Sequence, residues 1–214
     1  MALLQACGMT AIDVLRASLR QTPPRDGLPG PPAHASVCIV VAGPPRAPSI
    51  CLIRRARWPS DPWSEHIALP GGGRKGDEIA AATALRELHE EVGLVVPAEA
   101  ELTALPQLHI RLAGRERLLL LDAFACCIGE ELPPLQAGPE IDLAFWLPIA
   151  TLWDLGSATH NVLHDGEMLV YPAIRIPQGV IFGITLRVLT LLSDELGVPL
   201  PFLEEIPGLR GHTP

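Results

Sequence analysis

The stretch Gly72-Gly73-Arg74-Lys75-Gly76-Asp77-Glu78-Ile79-Ala80-Ala81-Ala82-Thr83-Ala84-Leu85-Arg86-Glu87-Leu88-His89-Glu90-Glu91-Val92-Gly93-Leu94 decides how this chain folds. Nine positions in it are constrained together: Gly72, Glu78, Arg86, Glu87, Leu88, Glu90, Glu91, Gly93 and Leu94. With each residue type at a background of roughly 5–10%, such a string arises by chance less than about once in 10⁸ start positions. Ile79 to Val92 contains no Pro or Gly and is rich in Ala, Leu and Glu, all good helix formers. Ile79, Ala82, Leu85, Leu88 and Val92 recur at spacings of three and four, which reads as an apolar helical stripe. Gly93 then ends the helix.

At 3.6 residues per turn, Glu87, Glu90 and Glu91 fall within an arc of about 100°. Carboxylates so close repel one another, cost helix stability and raise each other's pKa. A bound divalent cation relieves that repulsion, and an all-oxygen ligand set suits Mg²⁺ or Mn²⁺. An acidic run on a helix is ordinarily a solvated face, but this one has company. Arg86 can pair with Glu90 one turn on, or with Glu78 near the helix start. Leu69-Pro70-Gly71-Gly72-Gly73 reads as a tight turn against the same helix. Glycines there let backbone groups approach a metal or a phosphate.

The segment resembles the Nudix box at every constrained position. The resemblance implies an α/β/α sandwich with a central mixed β-sheet, whose strand-loop-helix box hydrolyses the diphosphate bond of nucleoside diphosphate derivatives. It implies Glu87, Glu90 and Glu91 as ligands of Mg²⁺ or Mn²⁺, with the Gly71 carbonyl as a further ligand. Glu78 and Arg86 become the pair that holds loop and helix together, and Gly72 and Gly73 the backbone contacts to substrate. Lys75, the sole lysine, reads as an exposed solubilising charge, with a phosphate contact as the alternative.

Segments outside the box narrow the resemblance. Leu52-Ile53-Arg54-Arg55 and Asp61-Pro62-Trp63-Ser64-Glu65-His66-Ile67-Ala68-Leu69-Pro70 resemble the region before the box in coenzyme A diphosphatase-like members. Tyr171-Pro172 and Val180-Ile181-Phe182-Gly183-Ile184-Thr185-Leu186-Arg187 resemble an aromatic-Gly-x-Thr-x-Arg helix of that group. Three positions depart from its signature: Glu65 stands for a glycine, Leu69 for an aromatic and Asp61 for an arginine. ADP-ribose, dinucleoside polyphosphates and damaged nucleoside triphosphates are the alternative substrates, and a non-hydrolytic nucleotide sensor is the alternative function.

Arg55 matches the arginine that closes the first strand of that signature and is a candidate phosphate contact. Arg54, on the opposite strand face, is a weaker candidate beside a surface salt bridge. Glu140, six residues before Trp146-Leu147-Pro148, matches a loop glutamate that orients water or binds a further metal in many members. Glu90, Glu91 or Glu140 would serve as general base. Asp142 is a lesser candidate. His66 reads as structural. His160 and His164 have an i, i+4 spacing but lack the Glu of HExxH and read as loop residues. Trp58 and Trp63 read as core or loop anchors, with base stacking as the alternative.

With 214 residues, 48% of them hydrophobic, one domain with one sizeable core is expected. We expect a helix and Pro-rich arm over 1–33, the catalytic domain over 34–200 and a tail over 201–214. A net charge of −8 argues against nucleic-acid binding, which calls for a basic footprint. It does not oppose a small phosphorylated substrate whose charge a metal neutralises. No apolar stretch reaches membrane-span length, so no membrane partner is expected. Five cysteines without metal-type spacing suggest reduced thiols and a cytoplasmic setting. A homodimer is open, since many members of the family are dimers.

A helix is expected at Thr10–Leu19, then an extended arm at Thr22–Pro32. Strands are expected at Val37–Ala42, Ser49–Arg54, His66–Leu69, Thr103–Leu112, Leu118–Ile128, Leu143–Leu147 and Met168–Ile176. Ile149–Leu155 reads as a short helix and Val180–Leu196 as a long closing one, all around one mixed sheet.

Overall fold

Apolar residues on both faces make Ala33–Ala42 (β1) a central strand. His34, Ser36, Cys38 and Val40 alternate with Ala35, Val37, Ile39 and Val41, so the two sets look to opposite sides of the sheet. From Cys38 to Ala42 every residue is fully buried. A computed structural model describes residues 33–58, 63–111, 118–154, 158–164 and 167–200. The expected helix at Thr10–Leu19, the arm at Thr22–Pro32, Asp61 and the 201–214 tail lie outside them.

Around β1 the sheet is built from Ser49–Arg55 (β2), Ile67–Ala68 (β3), Gly71–Gly73 (β4), Thr103–Ala104 (β5), Leu108–Arg111 (β6), Leu118–Cys127 (β7) and Ile141–Pro148 (β8). The backbone order is β3-β2-β1-β7-β5, with β4 beside β1, β6 beside β7 and β8 beside β2. β1 and β7 run parallel, while the other pairs are antiparallel. The sheet is therefore mixed.

Each face has its own core. Cys38, Val40, Cys51 and Ile53 pack under Ala84, Leu88 and Val92 of the box helix, Ala80–Val92 (α1). Ile39, Val41, Ile50 and Leu52 pack against Ile174, Ile181, Leu186 and Leu189 on the other side. These last residues come from Glu167–Ile176 (β10), Gly179–Phe182 (β11) and the closing helix Gly183–Glu195 (α3). A single-turn helix at Thr151–Asp154 (α2) and strand Ala158–His164 (β9) precede them.

Several expectations change. Strands β9, β10 and β11 form a separate three-stranded antiparallel sheet, where one sheet was expected. The closing helix starts at Gly183, not Val180, because Val180 and Ile181 pair with β10 and Gly183 turns the chain at φ +60°. Thr103–Leu112 splits into β5 and β6 around Pro106, which has no N–H for a ladder. Gly71–Gly73 is an extended strand on β1, not a tight turn. Within α1 the buried side is Thr83, Ala84, Leu88, Glu91 and Val92, and Ile79 is 70% exposed. Ile79 caps the helix in an extended conformation and so stands outside its periodicity. Gly93 closes the helix as expected, at φ +71°. Among the described residues no helix is long and apolar enough to cross a membrane.

Candidate active site

The box helix packs against strand β4 at Gly72. A Cβ built there would lie 2.6 Å from Cδ of Glu87, so only glycine lets that carboxylate rest on the strand. Next to it the Gly71 N–H donates to Glu91 Oε2 at 2.8 Å. Arg86 then ties the two elements together. Its Nε donates to Glu78 Oε1 at 2.7 Å, Nη2 to Glu78 Oε2 at 3.0 Å and to the Gly73 carbonyl at 3.1 Å. Nη1 reaches Glu87 Oε1 at 2.7 Å and Glu90 Oε2 at 3.0 Å. The expected choice between Glu78 and Glu90 is resolved as both, with Glu87 added.

Glu78 also accepts from the Lys75 backbone N–H and the Thr83 hydroxyl, each at 3.0 Å. Arg86 first, and then these donors, hold its carboxyl down near pKa 2. Lys75, read as a free exposed charge, sits 3.2 Å from Glu90. That contact, with Arg86, lowers the pKa of Glu90. Mutual raising within the acidic cluster is thus overturned at Glu90, because two cations reach it.

Glu91 behaves oppositely. It is 6% exposed, and burial pushes its pKa up to about 7, with the charges of Glu87 and Glu140 adding to the rise. The Gly71 N–H and Arg55 oppose that rise. Arg55 Nη1 stands 4.0 Å from Glu91 Oε1, at the end of β2.

Glu140 reaches this neighbourhood because its loop docks on the end of α1. The Gln136 and Gly138 N–H groups donate to the Val92 and Glu91 carbonyls, both at 2.9 Å. A Cβ on Gly138 would collide with the Glu90 carbonyl oxygen. The Glu140 carbonyl takes the Ala56 N–H at 2.9 Å, which fixes the loop beside Arg55.

The fold thus gathers Glu78, Arg86, Glu87, Glu90, Glu91, Gly71, Gly72, Gly73, Arg55 and Glu140 around one strand-helix junction. Other candidates are placed elsewhere. Arg54 and Asp142 pair with each other at 2.6 Å, and Arg54 also donates to the Gln178 carbonyl. His66 packs edge-on against Phe182, ring centroids 4.7 Å apart, as expected of a structural histidine. His160 and His164 lie in strand β9, not a loop, and four strand residues span about 13 Å. That distance is too long for two ligands of one zinc. Trp58 and Trp63 are 55% and 38% exposed, so neither is a core anchor.

Beside Gly72, the sheet face also carries Ser36, Arg74 and Asp122, which occupy no constrained motif position in the sequence. Their signal was present: His34 and Ser36 open β1 with two polar residues, and Asp122 interrupts an otherwise apolar β7.

The box carboxylates fit a divalent cation by donor type and by charge. All are hard oxygen donors, and Glu91 is a desolvated carboxylate pressed by two like charges. As they stand, Glu87 and Glu90 rest on Arg86, and among the described residues no three acidic, His or Cys side chains converge as a ligand set.

The model of the Nudix domain matches residues 32–166. The chain belongs to the Nudix family. An uncharacterised protein of Schizosaccharomyces pombe is 34% identical over 143 residues, covering 57% of this Nudix chain and 43% of the relative. The chain thus spans less than half of that relative's length. Solved structures resemble the chain at low identity and with TM-scores below 0.5. The Nudix domain of Shewanella oneidensis NrtR, in complex with ADP-ribose, is 16% identical with a TM-score of 0.49, over 66% of this chain and 87% of its own. A MutT/Nudix family protein of Enterococcus faecalis is 19% identical with a TM-score of 0.47, over 85% and 65%. The C. elegans Ap4A hydrolase is 16% identical with a TM-score of 0.44, over 55% and 81%.

Proposed function

We propose that this Nudix protein is a divalent-metal-dependent diphosphatase that cleaves the diphosphate bond of a nucleoside diphosphate derivative, with a coenzyme A-like substrate favoured. The observation that carries this reading is the intact carboxylate set on α1, held against β4 by Arg86 and Glu78. Glu87, Glu90 and Glu91 would hold Mg²⁺ or Mn²⁺, with the Gly71 carbonyl. When bound, the cation neutralises the diphosphate, acidifies the attacking water and stabilises the leaving phosphate.

The chain's own residues do the rest. Arg86 keeps the Glu78 loop and the helix carboxylates in one register. Arg55, 4.0 Å from Glu91, offers its guanidinium to a phosphate oxygen. Glu91, with a pKa near 7, or the neighbouring Glu140, takes the proton of the attacking water. Products are a nucleoside monophosphate-type fragment and a second phosphorylated fragment.

Two features support the coenzyme A-like preference. Glu65 replaces the glycine of that signature yet keeps a glycine-type backbone, at φ +63°. The two segments that carry the resemblance also touch: the Thr185 hydroxyl of α3 donates to the Ile67 carbonyl before the box at 3.1 Å. ADP-ribose and other nucleotide diphosphates are the alternatives within the same chemistry. The free cysteines among the described residues suit a reducing cytoplasm.

Phosphate release with Mg²⁺ or Mn²⁺ should be followed across coenzyme A, ADP-ribose, dinucleoside polyphosphates and oxidised nucleoside triphosphates. Turnover highest with coenzyme A is the expected result. Binding without turnover across the panel would overturn the hydrolase in favour of a nucleotide sensor.

A further inference from the structure

Among the described residues, four buried polar side-chain atoms have no hydrogen-bond partner, and three of them sit together. They are His34 Nδ1, Ser36 Oγ and Arg74 Nε. Native folds keep such atoms rare, because a donor removed from water and left unpaired is costly. A cluster of three on adjacent strands therefore marks a place built for something.

The register shows where it lies. Ser36 is paired with Gly72 on β4 and with Asp122 on β7. The Arg74 N–H donates to the His34 carbonyl at 3.0 Å, one step further along the same ladder. His34 and Ser36 share the side of β1 that carries Cys38 and Val40, the side of the box helix. A Cβ on Gly72 would touch the Glu87 carboxyl, and directly paired side chains sit about 4.5–5.5 Å apart. The Ser36 hydroxyl is thus one strand spacing from the Glu87 side of the candidate site, and it is 1% exposed.

The donor set selects the ligand class. Arg74 contributes a guanidinium whose Nη2 is 3.8 Å from Asp122 Oδ2, too far for a direct hydrogen bond. Asp122 is itself engaged at Oδ1 by Gln107 Nε2 at 2.7 Å. The loose ion pair with Asp122 leaves Arg74 Nε without an acceptor. A guanidinium N–H, a hydroxyl and an imidazole nitrogen together suit a tetrahedral oxyanion.

We propose that Arg74, Ser36 and His34 form a phosphate-binding subsite that takes a phosphoryl group of the substrate beside Glu87. The subsite rests on the reading of the box as a site for a phosphate anhydride. It explains why β1 spends two polar side chains on a face that is otherwise apolar core. Its asymmetry assigns the substrate's phosphoryl groups to two cations, Arg55 at the Glu91 side and Arg74 at the Glu87 side.

The test uses the full chain in EDTA and reads arginine Nε–H resonances by ¹⁵N NMR, with Arg74→Lys identifying the Arg74 signal. Methylenediphosphonate and inorganic phosphate are titrated separately. The Arg74 signal is expected to shift saturably with methylenediphosphonate, and more weakly with phosphate. Arg74→Gln should lower diphosphonate affinity by about tenfold or more. Ser36→Ala should lower it about three- to tenfold while leaving the thermal midpoint unchanged or higher, because an orphaned hydroxyl is removed. If Arg74→Gln does not fold, Arg74→Lys, which keeps the charge and loses Nε–H, should show the loss. An immobile Arg74 signal, or unchanged affinity in these variants, overturns the subsite. Binding of inorganic phosphate alone, without the diphosphonate, overturns its role toward substrate. Turnover of the nucleotide panel is scored independently. Turnover with an immobile Arg74 removes the subsite only, whereas a responsive Arg74 without turnover removes the hydrolase only.

Discussion

The two flanks of the box helix carry the same kind of charge and treat it in opposite ways. On the outer flank, Glu78, Glu87 and Glu90 meet Arg86 and Lys75 through direct contacts of 2.7 to 3.2 Å. On the inner flank, Glu91 faces Glu140 and Glu87 in a buried setting, and its cation, Arg55, stays at 4.0 Å. Counting charges does not explain the difference, since carboxylates outnumber cations on both flanks. Geometry and desolvation do. The pKa of Glu90 falls and that of its neighbour Glu91 rises, because Coulomb attraction acts strongly only at contact while burial acts wherever water is excluded. The inner flank is where a divalent cation gains most.

The largest expected effect comes from removing the inner charge. Glu91→Gln should fold normally and lower kcat by at least about 100-fold, since it removes both a proposed ligand and a candidate base. The same variant tests the electrostatics without metal. Glu91 titrates near 4.5 when unfolded and near 7 in the fold, so the folded state binds more protons between those values. Stability of the metal-free wild type should therefore fall as pH rises from about 4.5 to 7, and stay low above it. The penalty is on the order of 3 kcal/mol. Glu91→Gln should remove this dependence, so its thermal midpoint should exceed that of the wild type at pH 8. Parallel pH profiles for the two proteins in EDTA would break the contrast between the flanks.

A smaller loss is expected on the outer flank. Arg86→Met leaves three carboxylates without their shared partner and frees the loop at Gly73. It should cost about 1–2 kcal/mol in urea unfolding, the partial exposure of the pairs keeping the figure low. Catalytic efficiency should drop about tenfold through loss of register. If Arg86→Met cost no more than Lys75→Ala, for which about 0.5 kcal/mol or less is expected, the network would be ornamental and the helix would hold the loop by packing alone.

The helix, its glycine stop and the Arg86–Glu90 pair could be read from the chain, because they are local: a spacing of four puts those two partners on one surface. The central strands were readable too, through apolar runs bounded by Pro and Gly. What failed depended on distant neighbours. Val180 and Ile181 look helical by spacing, yet they pair with Ile174 and Arg175. The glycines at 71–73 look like a turn until β1 is present to receive them as a strand. Burial of Glu91 is set by what β2 and the 136–140 loop bring to the helix, and no spacing within α1 announces it. Arg55 and Glu140 were found by resemblance and meet Glu91 only in the fold. Asp122 escaped because a single polar residue in an apolar strand carries no periodic signal, and Ser36 because its strand neighbours on β4 and β7 come from distant segments.

The smallest expected effect sharpens the inner flank from behind. Glu65 is the described non-glycine residue with positive φ, at +63°, and its N–H donates to the Arg55 carbonyl at 3.2 Å. The Arg55 N–H in turn donates to the His66 carbonyl at 3.1 Å, so this strained turn anchors the arginine that stands 4.0 Å from Glu91. A left-handed conformation costs a residue with a Cβ about 1 kcal/mol or more, while glycine gives some of that back through the freedom of its unfolded chain. Glu65→Gly should therefore stabilise the protein by about 0.5 kcal/mol and leave the pH profile of Glu91 in place. Because glycine removes the Glu65 side chain and permits closer backbone approach, kcat/KM for coenzyme A should rise about two- to fivefold, by KM, relative to ADP-ribose. Equal changes for both substrates would mean that the turn only braces Arg55. A loss of stability would mean that the Glu65 side chain holds the turn by a contact stronger than its strain.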